Sequence, residues 1–431
     1  MMRHDSMRIY YRPAPYKIWA WTPKLRALRS PGDRAIVAAM KDLTKVVHHP
    51  PVDKDGFTSL AVPTYRASTI VFDSADAYAQ RKRRGASGYA YGLHGTPTTR
   101  TLESQLSALE EAAGTIILPS GQAGIALIFL TVLGPGDTVL VPANLYPPAL
   151  DLCRDILAPL GIGHRVYDPT IGAGIAALID PDCRLIWTES PGSATMEVGD
   201  LPAIVAAARD RGVLTGCDNS WATPLLFKPL AIGMDFAMEA ITKYIGGHSD
   251  LLLGSVSVRD PAWDVRLRER AHMLGIGVSP DDCTIALRGI ETLGVRLGHI
   301  GGVALDFAGR LADHPVVERV LHPALPDCPG HVFWKRDFKG ASGVFSVIFA
   351  PEREALLDAA LAHMRSFVIG ASWGGTRSLL APMTMPAERL GGPPGRSRRL
   401  LRISIGLEDR DDLWSDLADL LDRLAGSAAA G

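Results

Sequence analysis

Apolar residues along this chain fall into short blocks separated by glycine, proline and polar turns, and the blocks alternate between two lengths. Residues 115–118 form a run of strand length; after Pro119-Ser120-Gly121-Gln122-Ala123-Gly124 a longer, helix-like run over 125–133 follows and stops at Gly134-Pro135-Gly136. A further strand is predicted over 138–141, a buried strand over 184–188, a helix over 201–210 and a strand over 213–217. This βα rhythm predicts an α/β protein with a mostly parallel sheet, whose ligand sites gather at the carboxyl ends of the strands. Past residue 274 the pattern changes. A helix-rich stretch runs to 310, then come strand-like 343–349, helical 352–365, and a last strand and helix over 401–424, which predicts a smaller C-terminal α+β lobe. No fixed-period repeat is visible.

Length supports that division, because 431 residues exceed what a single core ordinarily covers. With 47% hydrophobic residues, 21% charged residues and a formal net charge of −1, the chain reads as soluble and globular, with no expected nucleic-acid or membrane partner. The longest apolar runs, 125–133 and 251–258, are too short to cross a bilayer, and the basic cluster 81–84 reads as a solvated helix end. Five scattered cysteines without a CxxC pair indicate neither a disulfide framework nor a metal site, so a reducing cytoplasm is expected. Residues 1–39 carry an excess of arginine and lysine but no continuous apolar core, and read as an extension ahead of a domain that begins near Met40.

Against this frame a few residues stand out. Ser120 to Gly124 form a turn between strand and helix, where free backbone N–H groups and the helix dipole favour a phosphate, although such glycines also serve tight turns. Asp218, in Cys217-Asp218-Asn219-Ser220, closes an apolar strand; there it can hold a pyridinium nitrogen protonated, although aspartates in such sequences more often cap a turn. Lys243 lies between apolar runs and beside glycines, a setting that can desolvate the amine and make it a nucleophile, whereas lysines ordinarily reach solvent. Thr242 places a hydroxyl next to it. Tyr91 and Tyr146 are flanked by small residues and prolines and suit a pocket, one donating to phosphate and one stacking on a ring, or ordinary packing. Arg402, inside a strand pattern, needs a partner, and either a substrate carboxylate or a protein carboxylate would serve. His248 reads as structural.

Taken together, these motifs resemble the Cys/Met-metabolism family of pyridoxal-phosphate (PLP) enzymes from about Met40 to the C-terminus. The likeness rests on Ser120-Gly121-Gln122-Ala123-Gly124, Asp218-Asn219-Ser220-Trp221-Ala222-Thr223-Pro224 and Thr242-Lys243-Tyr244, in the family's order. Within the family, Glu189-Ser190-Pro191-Gly192-Ser193-Ala194-Thr195-Met196-Glu197-Val198 and Ser372-Trp373-Gly374-Gly375 are similar to the segments of its cystathionine β-lyases.

The resemblance implies a fold-type-I architecture: an arm over 40–93 that contacts a neighbouring subunit, a large PLP domain over 94–289 with a mostly parallel seven-stranded sheet, and a small domain over 290–431. It implies that Lys243 carries the cofactor, Asp218 pairs with its ring nitrogen and Tyr146 stacks over the ring. Gly121, Gln122 and Thr242 join the phosphate cup. Tyr91 reaches the phosphate of a neighbour in a homotetramer of active dimers. Arg402 holds the substrate carboxylate, Ser372 and Trp373 border an amino-acid substrate, and Lys243 with Tyr146 carries out α,β-elimination of L-cystathionine. γ-Elimination and γ-replacement use the same residues, and a non-catalytic PLP binder is the remaining alternative. Two positions depart from the pattern: Leu93 stands where many relatives have a phosphate-gripping arginine, with His94 and Arg100 as nearby replacements, and Thr376-Arg377 replaces a common aromatic-Glu pair.

Overall fold

The computed structural model describes residues 40–47 and 60–426. The expected extension over 1–39, and residues 48–59 of the expected arm, lie outside the described residues. Seven strands build the larger sheet: β1 (Gly114–Leu118), β2 (Thr138–Pro142), β3 (Gly163–Tyr167), β4 (Cys183–Glu189), β5 (Leu214–Asp218), β6 (Phe236–Glu239) and β7 (Gly254–Val258). Their order is β1-β7-β6-β5-β4-β2-β3. The run β3-β2-β4-β5-β6 is parallel, and β7 is antiparallel to both of its neighbours. The reason is the loop 240–253: it returns the chain from the end of β6 without the crossover helix that a parallel strand requires. That loop carries Lys243 and leaves it at the carboxyl edge of the sheet.

Helices on both faces explain why β7 is buried along its whole length. One is Gly121–Val132, which lies on β6 and β7 so closely at Gly124 that a Cβ there would meet Met238 at 2.9 Å and Val256 at 3.1 Å, and whose Phe129 meets Trp187 of β4 edge-on with ring centroids 5.4 Å apart. Burying side chains of this size contributes roughly 1.5–3 kcal/mol each. On that account the sheet edge is a rigid platform.

The smaller sheet comprises β8 (Val317–Leu321), β9 (Val344–Phe349), β10 (Val368–Ile369), β11 (Leu379–Pro386) and β12 (Ser397–Ser404), in the order β10-β11-β12-β9-β8. All pairs but β10-β11 are antiparallel. Direct bonds fasten it to the segments that follow β5, β6 and β4: Trp221 Nε1 donates to Val344 O at 3.0 Å, Gly343 N to the Tyr244 hydroxyl at 2.9 Å, and Ser346 Oγ to Ala194 O at 2.7 Å. Arg402 on β12 pairs in register with Ser346, so the same fastening fixes its backbone.

One predicted element differs. The helix expected over 352–365 is a 3-10 turn, Pro351–Leu356, followed by a short α-helix, Leu357–Leu361. Buried Asp416 takes the N–H groups of Arg365, Ser366 and Phe367 at 3.0, 2.8 and 3.1 Å, so the chain leaves the helix to satisfy that carboxylate.

Candidate active site

Lys243 follows β6 in a tight turn whose backbone is bonded on both sides: Lys243 N donates to Ala240 O at 2.9 Å and Gly247 N to Lys243 O at 2.7 Å. Its Nζ donates to Ser372 Oγ at 2.7 Å and lies 5.3 Å from the Trp373 ring centroid. Gly374, at φ +85°, lets the Ser372-Trp373 loop lie on the lysine backbone, since a Cβ there would come within 3.0 Å of Lys243 C. Burial, and secondarily the charge of Arg402, lower the Lys243 pKa to about 8, with Asp218 opposing. A fraction of the amine is therefore neutral near pH 7.

Asp218 ends β5 and Glu189 ends β4, and the two are register partners on adjacent parallel strands. Burial raises the Asp218 carboxyl, while the N–H of Ser220, which donates to it at 2.9 Å, and Lys243 pull it back. Arg402 is 8% exposed and donates to Ala371 O at 2.6 Å; no protein carboxylate forms an ion pair with it among the described residues. Burial lowers its pKa from the usual arginine value, and Tyr146, Tyr244 and Glu189 offset part of that. Tyr146 is partly exposed, and burial plus the nearby Asp218 and Glu189 carboxyls keep its hydroxyl protonated.

The N-terminus of helix Gly121–Val132 lies beside these groups, its first residue packed on Ala240. Ser120 Oγ accepts from Ala123 N at 3.1 Å, which leaves the N–H groups of Gly121 and Gln122 for a ligand. Gln122 donates to Pro148 O at 2.9 Å, and its buried Oε1 has no hydrogen-bond partner among the described residues. The Thr242 hydroxyl both donates to Leu253 O and accepts from Leu253 N, each at 3.0 Å, pinning the lysine turn to the start of β7.

Tyr91 is not part of this group. It is half exposed, and its hydroxyl accepts from Ser68 at 3.5 Å. Arg100, considered as a replacement for the arginine absent at Leu93, is committed within its own chain: it pairs with Glu103 at 2.6 Å and donates to the carbonyls of Ser87 and His94. His94 stacks on His272 at 4.0 Å, and burial together with Arg100 lowers its pKa, so it adds no cation. His248 Nδ1 bonds Gly246 O at 2.8 Å, in keeping with a structural role. A cleft of about 1140 Å3 near Leu43, Lys228 and Gly301 shares no residue with the Lys243 group. Sequence reasoning missed Glu189 as a site residue, because its register with Asp218 and its bond to Tyr146 join segments remote in sequence.

These residues fit pyridoxal phosphate. A desolvated amine suits its aldehyde, a carboxylate at a strand end suits its protonated ring nitrogen, and a free helix N-terminus suits its phosphate. With the sheet order and the lysine turn after β6, they define a fold-type-I PLP-dependent enzyme. The sequence profile described as "Cys/Met metabolism PLP-dependent enzyme" matches residues 43–422, and the chain belongs to that family. It is 43% identical over 385 residues to a putative cystathionine beta-lyase of Rhizobium johnstonii, covering 87% of this chain and 94% of the relative. To cystathionine beta-lyase MetC of Escherichia coli it is 42% identical over 360 residues, covering 82% and 91%. Among solved structures, a cystathionine gamma synthase of Xanthomonas oryzae pv. oryzae superposes with a TM-score of 0.82 at 31% identity, covering 90% of this chain and all of that one. The protein is accordingly a PLP-dependent enzyme of amino-acid metabolism. No helix among the described residues is long and apolar enough to cross a membrane.

Proposed function

We propose that this protein is a cystathionine β-lyase, converting L-cystathionine and water into homocysteine, pyruvate and ammonia. The observation that carries an amino-acid reaction here is the pairing of a low-pKa amine, Lys243, with a buried guanidinium, Arg402, that has no protein counter-ion among the described residues. The choice of β- over γ-chemistry is supported by the segments 189–198 and 372–375 and by the 42–43% identity to proteins named as β-lyases.

Bound pyridoxal phosphate supplies the electron sink for the pair left at the substrate α-carbon. Arg402 holds the α-carboxylate, and its bond to Ala371 O orients the guanidinium beforehand. Lys243 takes the α-proton, with a pKa of about 8 matched to work near neutrality. As the carbon–sulfur bond breaks, Tyr146 or Lys243 returns a proton to the leaving thiolate. Asp218 stays ionised to hold the ring proton, and Gly121, Gln122 and Thr242 contribute to the phosphate cup. Ser372 and Trp373 border the substrate.

The same reading assigns 40–93 as an arm, 94–289 as the PLP domain and 290–431 as the small domain, with Tyr91 serving a neighbour's phosphate in a homotetramer of active dimers. Exposure of Tyr91 supports that role, and five buried free thiols support a cytoplasmic setting. The test is to add L-cystathionine to the PLP-loaded protein and identify the keto acid, with Lys243→Ala as control. Pyruvate that disappears in the variant supports β-elimination; 2-oxobutyrate would install γ-elimination in its place.

A further inference from the structure

We propose that Glu189 is a positioning residue for the reaction: its carboxyl, fixed at the end of β4, holds the backbone N–H of Tyr146 and thereby sets where the Tyr146 ring lies in the crevice. The inference rests on reading Tyr146 as the residue that faces the cofactor ring. Glu189 Oε2 accepts from Tyr146 N at 2.6 Å. Tyr146 precedes two prolines and starts a short helix, Pro147–Asp151, with Ala149 N donating back to its carbonyl at 2.9 Å. Its side chain is 41% exposed, so packing alone does not orient the ring. The backbone must do so, and Glu189 is the partner that holds its N–H.

The groups around the Glu189 carboxyl decide its charge. Asp218 stands beside it on β5, Arg402 faces it from β12, and the Ser193 hydroxyl and Tyr146 N bond to it. Two buried carboxyls in one crevice do not both ionise readily, and Arg402 is reserved for substrate. Burial and Asp218 push Glu189 well above the usual carboxyl range, which favours the neutral carboxyl as the acceptor of the Tyr146 N–H. A neutral acceptor of the same length should replace it. Glutamine keeps both length and neutrality; aspartate withdraws the acceptor by about 1.5 Å, one carbon–carbon bond.

The test uses the PLP-loaded enzyme with Glu189→Gln, Glu189→Asp, Glu189→Ala, Tyr146→Ala and the double Ala variant, reading kcat, KM and the circular dichroism of the bound cofactor's visible band. The expected pattern is a Gln variant within about threefold of wild type, and Asp and Ala variants with kcat down about tenfold, KM little changed and an altered visible band. In the double variant Glu189→Ala should add nothing to Tyr146→Ala. A Gln variant as damaged as the Ala variant, or fully additive losses in the double variant, would overturn the proposal. Should Glu189→Ala fail to fold, the Gln and Asp pair still decides it. A Tyr146→Ala variant with wild-type kcat and visible band would instead sink the reading of Tyr146, and the proposal with it.

Discussion

Replacing Arg402 with glutamine removes the charge and the two-pronged donor and leaves a neutral amide that ends two bonds short of the guanidinium nitrogens. In the folded protein the guanidinium is 8% exposed and already bonded to Ala371 O at 2.6 Å, so little ordering remains when a substrate carboxylate arrives. Each charge-assisted hydrogen bond to a carboxylate contributes about 1.5–3 kcal/mol, and two act together. Allowing for the amide's own weaker bond and for water entering the gap, the net loss should be about 3 kcal/mol, or roughly 150-fold in kcat/KM. Lysine keeps the charge but not the fork, and should lose roughly tenfold. The assay is steady-state keto-acid release from L-cystathionine, run beside an analogue whose α-carboxylate is a carboxamide. Wild type should discriminate strongly between the two, and Arg402→Gln should not. A glutamine variant within fivefold of wild type, or an equal loss on both substrates, would refute the assignment of Arg402 as the carboxylate clamp.

Cofactor uptake by apo protein requires the neutral Lys243 amine, so its rate, followed by visible absorbance, should rise with pH through a midpoint of about 8. Arg402 lowers that pKa and Asp218 raises it, so Arg402→Gln should move the midpoint up and Asp218→Asn down. Gly374→Ala, forced to φ +85° with its Cβ 3.0 Å from Lys243 C, should displace the Ser372-Trp373 loop and raise KM severalfold, measured in the same assay. Burial raises the Glu110 carboxyl to about 7, with its hydrogen bond to Glu239 opposing, and burial together with the neighbouring Glu110 holds Glu239 well above its usual value. The folded state therefore binds protons that the unfolded chain has released, and stability falls as pH rises from the usual glutamate range through about 7. Glu239→Gln should accordingly raise the melting temperature more at pH 8 than at pH 5; an equal shift at both would contradict it.

Much of the candidate site was legible because several of its residues sit where the pattern changes from strand to turn. Gly121, Asp218 and Lys243 all follow apolar runs, and the parallel sheet then places them on one edge. Arg402 was visible as a charge inside a strand, although only the folded chain shows that it lacks a protein counter-ion. What escaped depends on partners remote in sequence. Glu189 becomes a site residue through its register with Asp218 and its bond to Tyr146, neither of which leaves a local trace. Arg100 looked available until the fold paired it with Glu103. The end of the 352–361 helical stretch is set by Asp416, some fifty residues away, and the antiparallel direction of β7 by a loop without a crossover helix.

The central claim is that Lys243 is the residue to which pyridoxal phosphate attaches. The most direct test is to reduce the PLP-loaded protein with borohydride, digest it and locate the pyridoxyl group by mass spectrometry. The account predicts one modified peptide, with the group on Lys243 and none recovered from Lys243→Ala. A pyridoxyl group on another lysine, with Lys243 unmodified, would contradict it.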